Sequence, residues 1–302
     1  MQVIPFGARV ICFGDDTYYL GEASGNIKVV NRVDHAVLFC FQHSAFPIQH
    51  LAFNPGSCLI AACRHQISLW DLEYVMVSKA EDSKNEDKAV ETAKKLYRTA
   101  VGSVRSNDSI IAVQTTSTDI DLLSTKDLQL LTYVLVDDHI EAFAVASDCL
   151  YGSKQLQSLF YVDSQLEMWD MRGFEDLPRP VSIIASCQGY LCFQVQNYLH
   201  IYNQTTRKKI SVSKLNSSEY LFAFANSTLA IGASNTCRFQ TLEGKKISSP
   251  VCFDSTVNQI IYSPPNWYVL LATEPTKKDL QQTVDLMGSL FSSIADSSCA
   301  LM

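Results

Sequence analysis

A unit of four short strands recurs along this chain at a spacing near forty residues, and this recurrence limits the possible folds more than any other feature. Arg9 to Phe13, Thr17 to Ala23, Ile27 to Asn31 and Ala36 to Phe41 are short apolar or alternating runs. Gly14-Asp15-Asp16 and Ser24-Gly25-Asn26 lie between them. Such runs, bounded by Gly, Asn and Asp, read as strands joined by tight turns. A second copy runs through Ile48 to Phe53, Leu59 to Cys63, Ile67 to Leu72 and Tyr74 to Ser78. The third strands align on their last residues as Ile27 to Asn31, Ile67 to Asp71, Ile120 to Ser124, Leu166 to Asp170, Leu199 to Asn203 and Cys237 to Thr241. The gaps between these anchors are 40, 53, 46, 33 and 38 residues.

A period near forty with four strands per unit predicts an all-β chain folded as a single β-propeller. One four-stranded sheet cannot bury both of its faces; stacking sheets in a ring covers them and leaves short edges. Six anchors predict six blades. Val257 to Tyr262 and Trp267 to Thr273 add two more strands, joined by Ser263-Pro264-Pro265-Asn266. Gln2 to Phe6 is expected to pair with them, because an incomplete blade leaves an adhesive edge. Seven blades are therefore expected, with six as the runner-up.

Residues 43 to 72 carry a family likeness. His43 stands five residues before Ile48, Leu51-Ala52-Phe53-Asn54-Pro55-Gly56 follows, and Ile67-Ser68-Leu69-Trp70-Asp71-Leu72 closes the segment. Trp169-Asp170 is a second Trp-Asp pair. This pattern resembles one repeat of the WD-repeat propeller family. The resemblance implies a buried hydrogen-bond network of His, Ser or Thr, a turn Asp and Trp. His43 and Trp70 match it clearly, with Asp71, Trp169 and Asp170 as further structural candidates. Cys63 falls near the Ser position, and Arg64-His65-Gln66 replaces the Asp turn.

Hydrophobic residues make up 47% of the chain and charged residues 18%, enough apolar content for a packed core. The net charge of −7 disfavours a nucleic-acid partner, which needs a basic stripe. It also disfavours electrostatic docking on an anionic membrane. Several of the ten cysteines, such as Cys12 and Cys40, lie inside apolar runs, where they act as small core residues. Their spacing lacks a zinc-ligand pattern. The opening Met1-Gln2-Val3-Ile4-Pro5 does not resemble a secretory leader. A reduced, cytoplasmic protein without metal or cofactor is expected.

Two segments break the period. Residues 79 to 95 hold five lysines and five acidic residues and are expected to form a solvated loop inserted between blades. In residues 276 to 298, Leu280, Val284, Met287, Phe291 and Ile294 fall at spacings of 4, 3, 4 and 3, one helical stripe. Thr276 is the expected N-cap, with Asp279 in the first turn. The helix is read as a partner-binding or propeller-packing element. The organisation is thus a propeller over 1–275 and a helix with its tail over 276–302.

No enzyme motif is present: the chain lacks Gly-x-Gly-x-x-Gly, a Walker loop, His-Glu-x-x-His and Gly-x-Ser-x-Gly. No small-molecule substrate is expected. The last four residues, Cys299-Ala300-Leu301-Met302, fit a prenylation box, and the terminal Met favours farnesyl. One prenyl chain anchors only marginally, and no polybasic run precedes Cys299 to act as a second signal. The expected function is a non-enzymatic scaffold for protein partners, farnesylated at Cys299 and reversibly held at a cytoplasmic membrane face in trafficking or signalling. The alternative is a soluble subunit of a nuclear or cytosolic complex with a fortuitous box.

Overall fold

The computed structural model describes residues 1–54, 58–72, 94–146, 149–155, 158–171, 174, 177–178, 181–187, 189–216, 219, 221–225 and 228–279. β1 (Gln2–Val3) opens the chain. Residues Arg9–Met171 then form one compact unit of four antiparallel sheets, taken in chain order. Blade 1 comprises β2 (Val10–Phe13), β3 (Thr17–Gly21), β4 (Asn26–Asn31) and β5 (Val37–Gln42). Blade 2 comprises β6 (His50–Asn54), β7 (Cys58–Cys63), β8 (Gln66–Asp71) and β9 (Lys94–Arg98). Blade 3 comprises β10 (Ser103–Ser106), β11 (Ile110–Gln114), β12 (Asp119–Ser124) and β13 (Leu130–Leu135). Blade 4 comprises β14 (Ile140–Val145), β15 (Leu150–Lys154), β16 (Leu159–Val162) and β17 (Met168–Asp170).

The second unit joins Met1–Ala8 to the chain from Arg172 onward. Blade 5 comprises β18 (Ile183–Cys187), β19 (Tyr190–Val195), β20 (Tyr198–Asn203) and β21 (Lys209–Lys214). Blade 6 comprises β22 (Leu221–Ala225), β23 (Thr228–Gly232), β24 (Thr236–Thr241) and β25 (Val251–Cys252). Blade 7 pairs β26 (Val257–Ser263) with β27 (Asn266–Leu271). β1 completes it, parallel to β27, with Gln2 opposite Tyr268 and Val3 opposite Val269. The amino-terminal strand thus fills the short last blade, as its sequence suggests. The described residues form seven sheets, the all-β, seven-bladed propeller class.

The strand sequences follow from which faces are covered. β7 reads Cys-Leu-Ile-Ala-Ala-Cys with no alternation, because both of its faces are buried. Leu59 and Ala61 pack with Ile27, Val29 and Phe41 of blade 1. Ile60 and Ala62, one register step away, pack with Val104, Ile111 and Val113 of blade 3. The period-2 side-chain alternation therefore serves two neighbouring clusters from one strand. Blades 3 and 4 share a cluster of the same kind, and so do blades 5 and 6, and blades 6 and 7.

One turn recurs between third and fourth strands. Asn31, Ser124 and Asn203 each close a third strand, and their N–H groups donate to Ala36, Gln129 and Lys208, at 2.9 Å in each case. Their side-chain oxygens accept N–H groups inside the turn, from Val33, Lys126 and Thr206. Each turn then passes through one left-handed residue, His35, Leu128 or Arg207. A register shift follows in all three blades, leaving Leu38, Leu131 and Ile210 as the extra residues of a bulge. Blades 4 and 6 use a version one residue shorter, opened by Asp163 and Thr241, with Leu166 and Gly244 left-handed.

This turn corrects the sequence alignment of blade 4. Leu166 to Asp170 is not its third strand. Leu166 sits in the turn, and Met168–Asp170 forms the outermost strand, beyond β16. Asp163 is the true counterpart of Asn31, and the spacing of the aligned positions 31, 71, 124, 163, 203 and 241 becomes 40, 53, 39, 40 and 38. The long step contains the charged segment. That segment lies within blade 2 rather than between blades: β9 (Lys94–Arg98), not Tyr74 to Ser78, pairs with β8 as the fourth strand. Residues 73–93 are outside the described residues.

After β27 the chain turns into a helical start at 277–279. Thr276 N–H donates to Asp279 Oδ2 (2.8 Å), and Asp279 N–H donates to Thr276 Oγ1 (3.3 Å), a reciprocal cap. Asp279 is fully buried and also accepts the Asp254 N–H at 2.8 Å. The stripe of Leu280, Val284, Met287, Phe291 and Ile294 lies outside the described residues.

Candidate functional site

A buried polar network ties blade 1 to blade 2 within the Arg9–Met171 unit. Trp70 is the last inward residue of β8, and His43 lies in the connection from β5 to β6; both are buried. Trp70 Nε1–H donates to His43 Nδ1 at 3.3 Å. Phe41 packs edge-on against the same indole, with ring centroids 4.8 Å apart. Gln66 Nε2 donates to the His43 carbonyl at 3.2 Å, so the residue standing in place of a turn Asp still holds the His43 segment. His43 N–H donates to the Gly25 carbonyl at 3.0 Å, which ties the same segment to blade 1. Asp71 closes β8 beside Trp70.

Trp169 and Asp170 do not share that place. Trp169 lies on β17, 49% exposed, and its indole donates to Asp163 Oδ2 at 2.9 Å. The residue before the turn opener is instead Val30, Trp70, Leu123, Val162, Tyr202 or Gln240 in blades 1 to 6, and all six are buried. Aliphatic side chains suffice at three of these positions, so the letters Trp-Asp mark the site in blade 2 alone.

Blade 6 has a charged substitute that single-residue matching misses. Arg238 on β24 donates through Nε to Glu219 Oε1 (2.6 Å) and through Nη2 to Oε2 (3.1 Å). Arg238 Nη1 also donates to Gln240 Oε1 (2.7 Å), and Gln240 Nε2 donates to Ser213 Oγ on β21 (2.8 Å). Burial acts to raise the Glu219 pKa. Hydrogen bonds from Arg238 and the Asn216 N–H, together with the Arg238 charge, outweigh it and hold the carboxyl below its ordinary range. The sequence signal is an Arg and a Gln at alternate positions of a strand otherwise apolar on its buried face.

The candidate interaction surface lies on the outermost strands of the Arg9–Met171 unit. On β13, Leu130, Leu131, Tyr133 and Leu135 are 49%, 44%, 68% and 62% exposed, while Val134 is buried. Val136 N–H donates to Thr118 O, and Val134 lies opposite Ile120. By the alternation of an antiparallel ladder, the main-chain groups of Tyr133 and Leu135 point away from β12. No residue of β13 is charged. β9 carries Lys94, Lys95 and Arg98, and β21 carries Lys209 and Lys214. Edge lysines discourage strand addition; an apolar, uncharged edge invites it. On β17, Met168 and Trp169 extend the exposed apolar set.

Among the described residues, no group of three His, Cys, Asp or Glu side chains is placed to hold a metal. No helix among them is long and apolar enough to cross a membrane. Cys299, Ala300, Leu301 and Met302 lie outside the described residues.

No protein-family model matches the chain, and no curated protein matches it by sequence. Its fold does match solved structures. The RRP9 WD40 repeats superpose with a TM-score of 0.62 at 9% identity, covering 85% of this chain and 84% of that one. U3-55K gives the same TM-score and identity, covering 85% of both chains. BamB from Moraxella catarrhalis gives a TM-score of 0.56 at 11% identity, covering 86% of this chain and 80% of its own. These likenesses establish the propeller fold.

Proposed function

We propose that this protein is a non-enzymatic scaffold for protein–protein interaction, and that β13 receives an extended, uncharged segment of a partner. The observation that carries this reading is the exposure of four large apolar side chains on an uncharged outer strand. A partner strand added there would pair with the main chain of Tyr133 and Leu135 and cover their side chains. The likeness to WD40-repeat structures supports a binding role, since the sheets offer rigid edges with little chemistry of their own. Tyr133→Lys with Leu135→Lys places two charges on the edge without touching the core. Partner recovery from cells by quantitative mass spectrometry should lose a discrete set of proteins with this variant. An unchanged set contradicts the reading.

Membrane recruitment is the finer part of the proposal. Where Met302 ends the expressed chain, the Cys299 thiolate is the attachment point for a farnesyl group, with Ala300, Leu301 and Met302 as the recognition residues. One chain of this kind binds membranes marginally, so a protein partner or the 280–294 stripe supplies the second signal. Fractionation tests this directly: Cys299→Ser should move the protein from the membrane pellet to the supernatant. Equal partitioning of wild type and variant removes the lipid from the account.

A further inference from the structure

Charge is unevenly placed along this chain. Residues 9–171 hold 13 basic and 22 acidic residues, whereas residues 172–302 hold 11 and 9. The net charge of −7 therefore conceals a slightly basic half, and such asymmetry points to an anionic partner for that half.

Within it, cations collect on two equivalent turns. In blades 5 and 6 the N–H of the turn opener, Asn203 or Thr241, donates to the carbonyl of Lys208 or Lys245, at 2.9 and 2.8 Å. A second lysine, Lys209 or Lys246, follows each. Ala36-Val37, Gln129-Leu130 and Glu167-Met168 hold the same two positions in blades 1, 3 and 4, so the turn itself does not require lysine there. Arg207, in the left-handed position before Lys208, adds a fifth cation. All five residues are exposed. Glu243 is the one acidic residue within 203–209 and 241–246, which leaves an excess of four positive charges.

Hydrogen bonds bring the two turns side by side. Ser211 Oγ on β21 donates to the Leu242 carbonyl, and Gln240 Nε2 donates to Ser213 Oγ at 2.8 Å. A Cβ at Gly244 would lie 3.3 Å from Ser213 Oγ. The blade 6 turn thus lies against the strand that Lys209 opens. Lys246 forms a β-bridge with Gln240, the residue that reaches Ser213. Residues directly opposite in a ladder share a face, so Lys246 stands on the side of blade 6 that meets β21.

We propose that this pair of turns is a docking surface for an anionic membrane. Long cationic side chains on adjacent turns reach several mobile headgroups at once and need no fixed register with them. One prenyl chain holds a membrane only marginally, and this surface adds a contact that needs neither a protein partner nor the 280–294 stripe. That role rests on the membrane reading above; the surface itself does not.

The test uses the full chain carrying Cys299→Ser, so that no lipid contributes. Its co-sedimentation is measured with phosphatidylcholine vesicles, with and without about 30% phosphatidylserine. The protein should bind the anionic vesicles, leave the neutral ones alone, and dissociate when salt rises from about 0.1 to about 1 M. A lysine near such a surface contributes about fivefold in affinity, so Lys208→Gln, Lys245→Gln and Lys246→Gln together should weaken binding by about a hundredfold. Lys95→Gln, Arg98→Gln and Lys126→Gln remove the same charge from the other unit and should change it by less than about twofold. Absence of binding to anionic vesicles overturns the proposal, as does an equal loss in the two triple variants. Preference for soluble polyglutamate over the vesicles also overturns it and assigns the surface to an acidic protein. Failure here leaves the Cys299 fractionation result standing, and an unmodified Cys299 leaves this result standing.

Discussion

Trp169 donates its indole N–H to Asp163, 2.9 Å away, across the outer hairpin of blade 4. Asp163 opens the turn in blade 4 as Asn31 and Asn203 do in blades 1 and 5, and Trp169 lies on the strand after it. Trp169 and Trp70 therefore differ in what they hold. Trp169→Ala should change stability by no more than about 0.5 kcal/mol, the usual range for a surface position. Trp70→Ala empties a site that is almost fully buried and should cost about 3–5 kcal/mol. Urea denaturation of the two variants measures the contrast, and comparable losses contradict these placements.

The His43–Trp70 hydrogen bond has its own test. Trp70→Phe keeps an aromatic ring in the pocket but leaves His43 Nδ1 without the indole donor. Loss of one partner from a buried polar contact costs about 1–3 kcal/mol. His43→Phe combined with Trp70→Phe removes both ends, and the double variant should lose less than the sum of the two single losses. Additive losses imply that the pair is not coupled.

Gly25 has a left-handed backbone, and a Cβ there would lie 2.1 Å from the Ser44 carbonyl oxygen. The Gly25 carbonyl also receives the His43 N–H. Gly25→Ala should therefore destabilise by more than the 1–2 kcal/mol or so that a left-handed conformation alone costs an L-residue. Near-UV circular dichroism at the tryptophans should change with it, because the His43 segment must move. A variant with wild-type stability and spectrum contradicts the turn geometry.

Glu219 gives a pH signature. Its folded pKa lies below its unfolded value, so its contribution to stability is present above about pH 4.5 and lost as pH falls through the folded value. Arg238→Met removes the partner and leaves a buried carboxylate unpaired, a change expected to cost about 3–5 kcal/mol at neutral pH. In that variant burial dominates, the Glu219 pKa rises, and the deficit against wild type should shrink as pH falls below 5. A deficit independent of pH shows that the pair is not the cause.

Much of the fold was legible because it rests on period. Strand lengths, turn residues and the need to finish blade 7 with Gln2–Val3 all follow from covering sheet faces. The Thr276 cap was legible because a capping box is local in sequence. Blade 4 was misaligned because Trp169-Asp170 matches by letter, while the position that matters needs only a buried side chain before an Asx or hydroxyl turn; Val162-Asp163 supplies it without tryptophan. The Arg238–Glu219 pair escaped because its partners lie 19 residues apart on different elements. The exposed edge escaped for a different reason: Leu-Leu-Thr-Tyr-Val-Leu has the composition of a buried strand, and only its position beyond β12 leaves it uncovered.

The central claim is that β13 is a strand-pairing edge for a partner protein. Hydrogen–deuterium exchange of the purified protein, alone and with a partner whose recovery depends on Tyr133 and Leu135, tests it most directly. Among the described residues the outward N–H groups of Tyr133 and Leu135 have no acceptor, and they gain one if a strand is added. Their exchange should slow by about tenfold or more in the complex, while that of Lys209–Lys214 stays unchanged. Exchange at Tyr133 and Leu135 that is the same with and without the partner contradicts it.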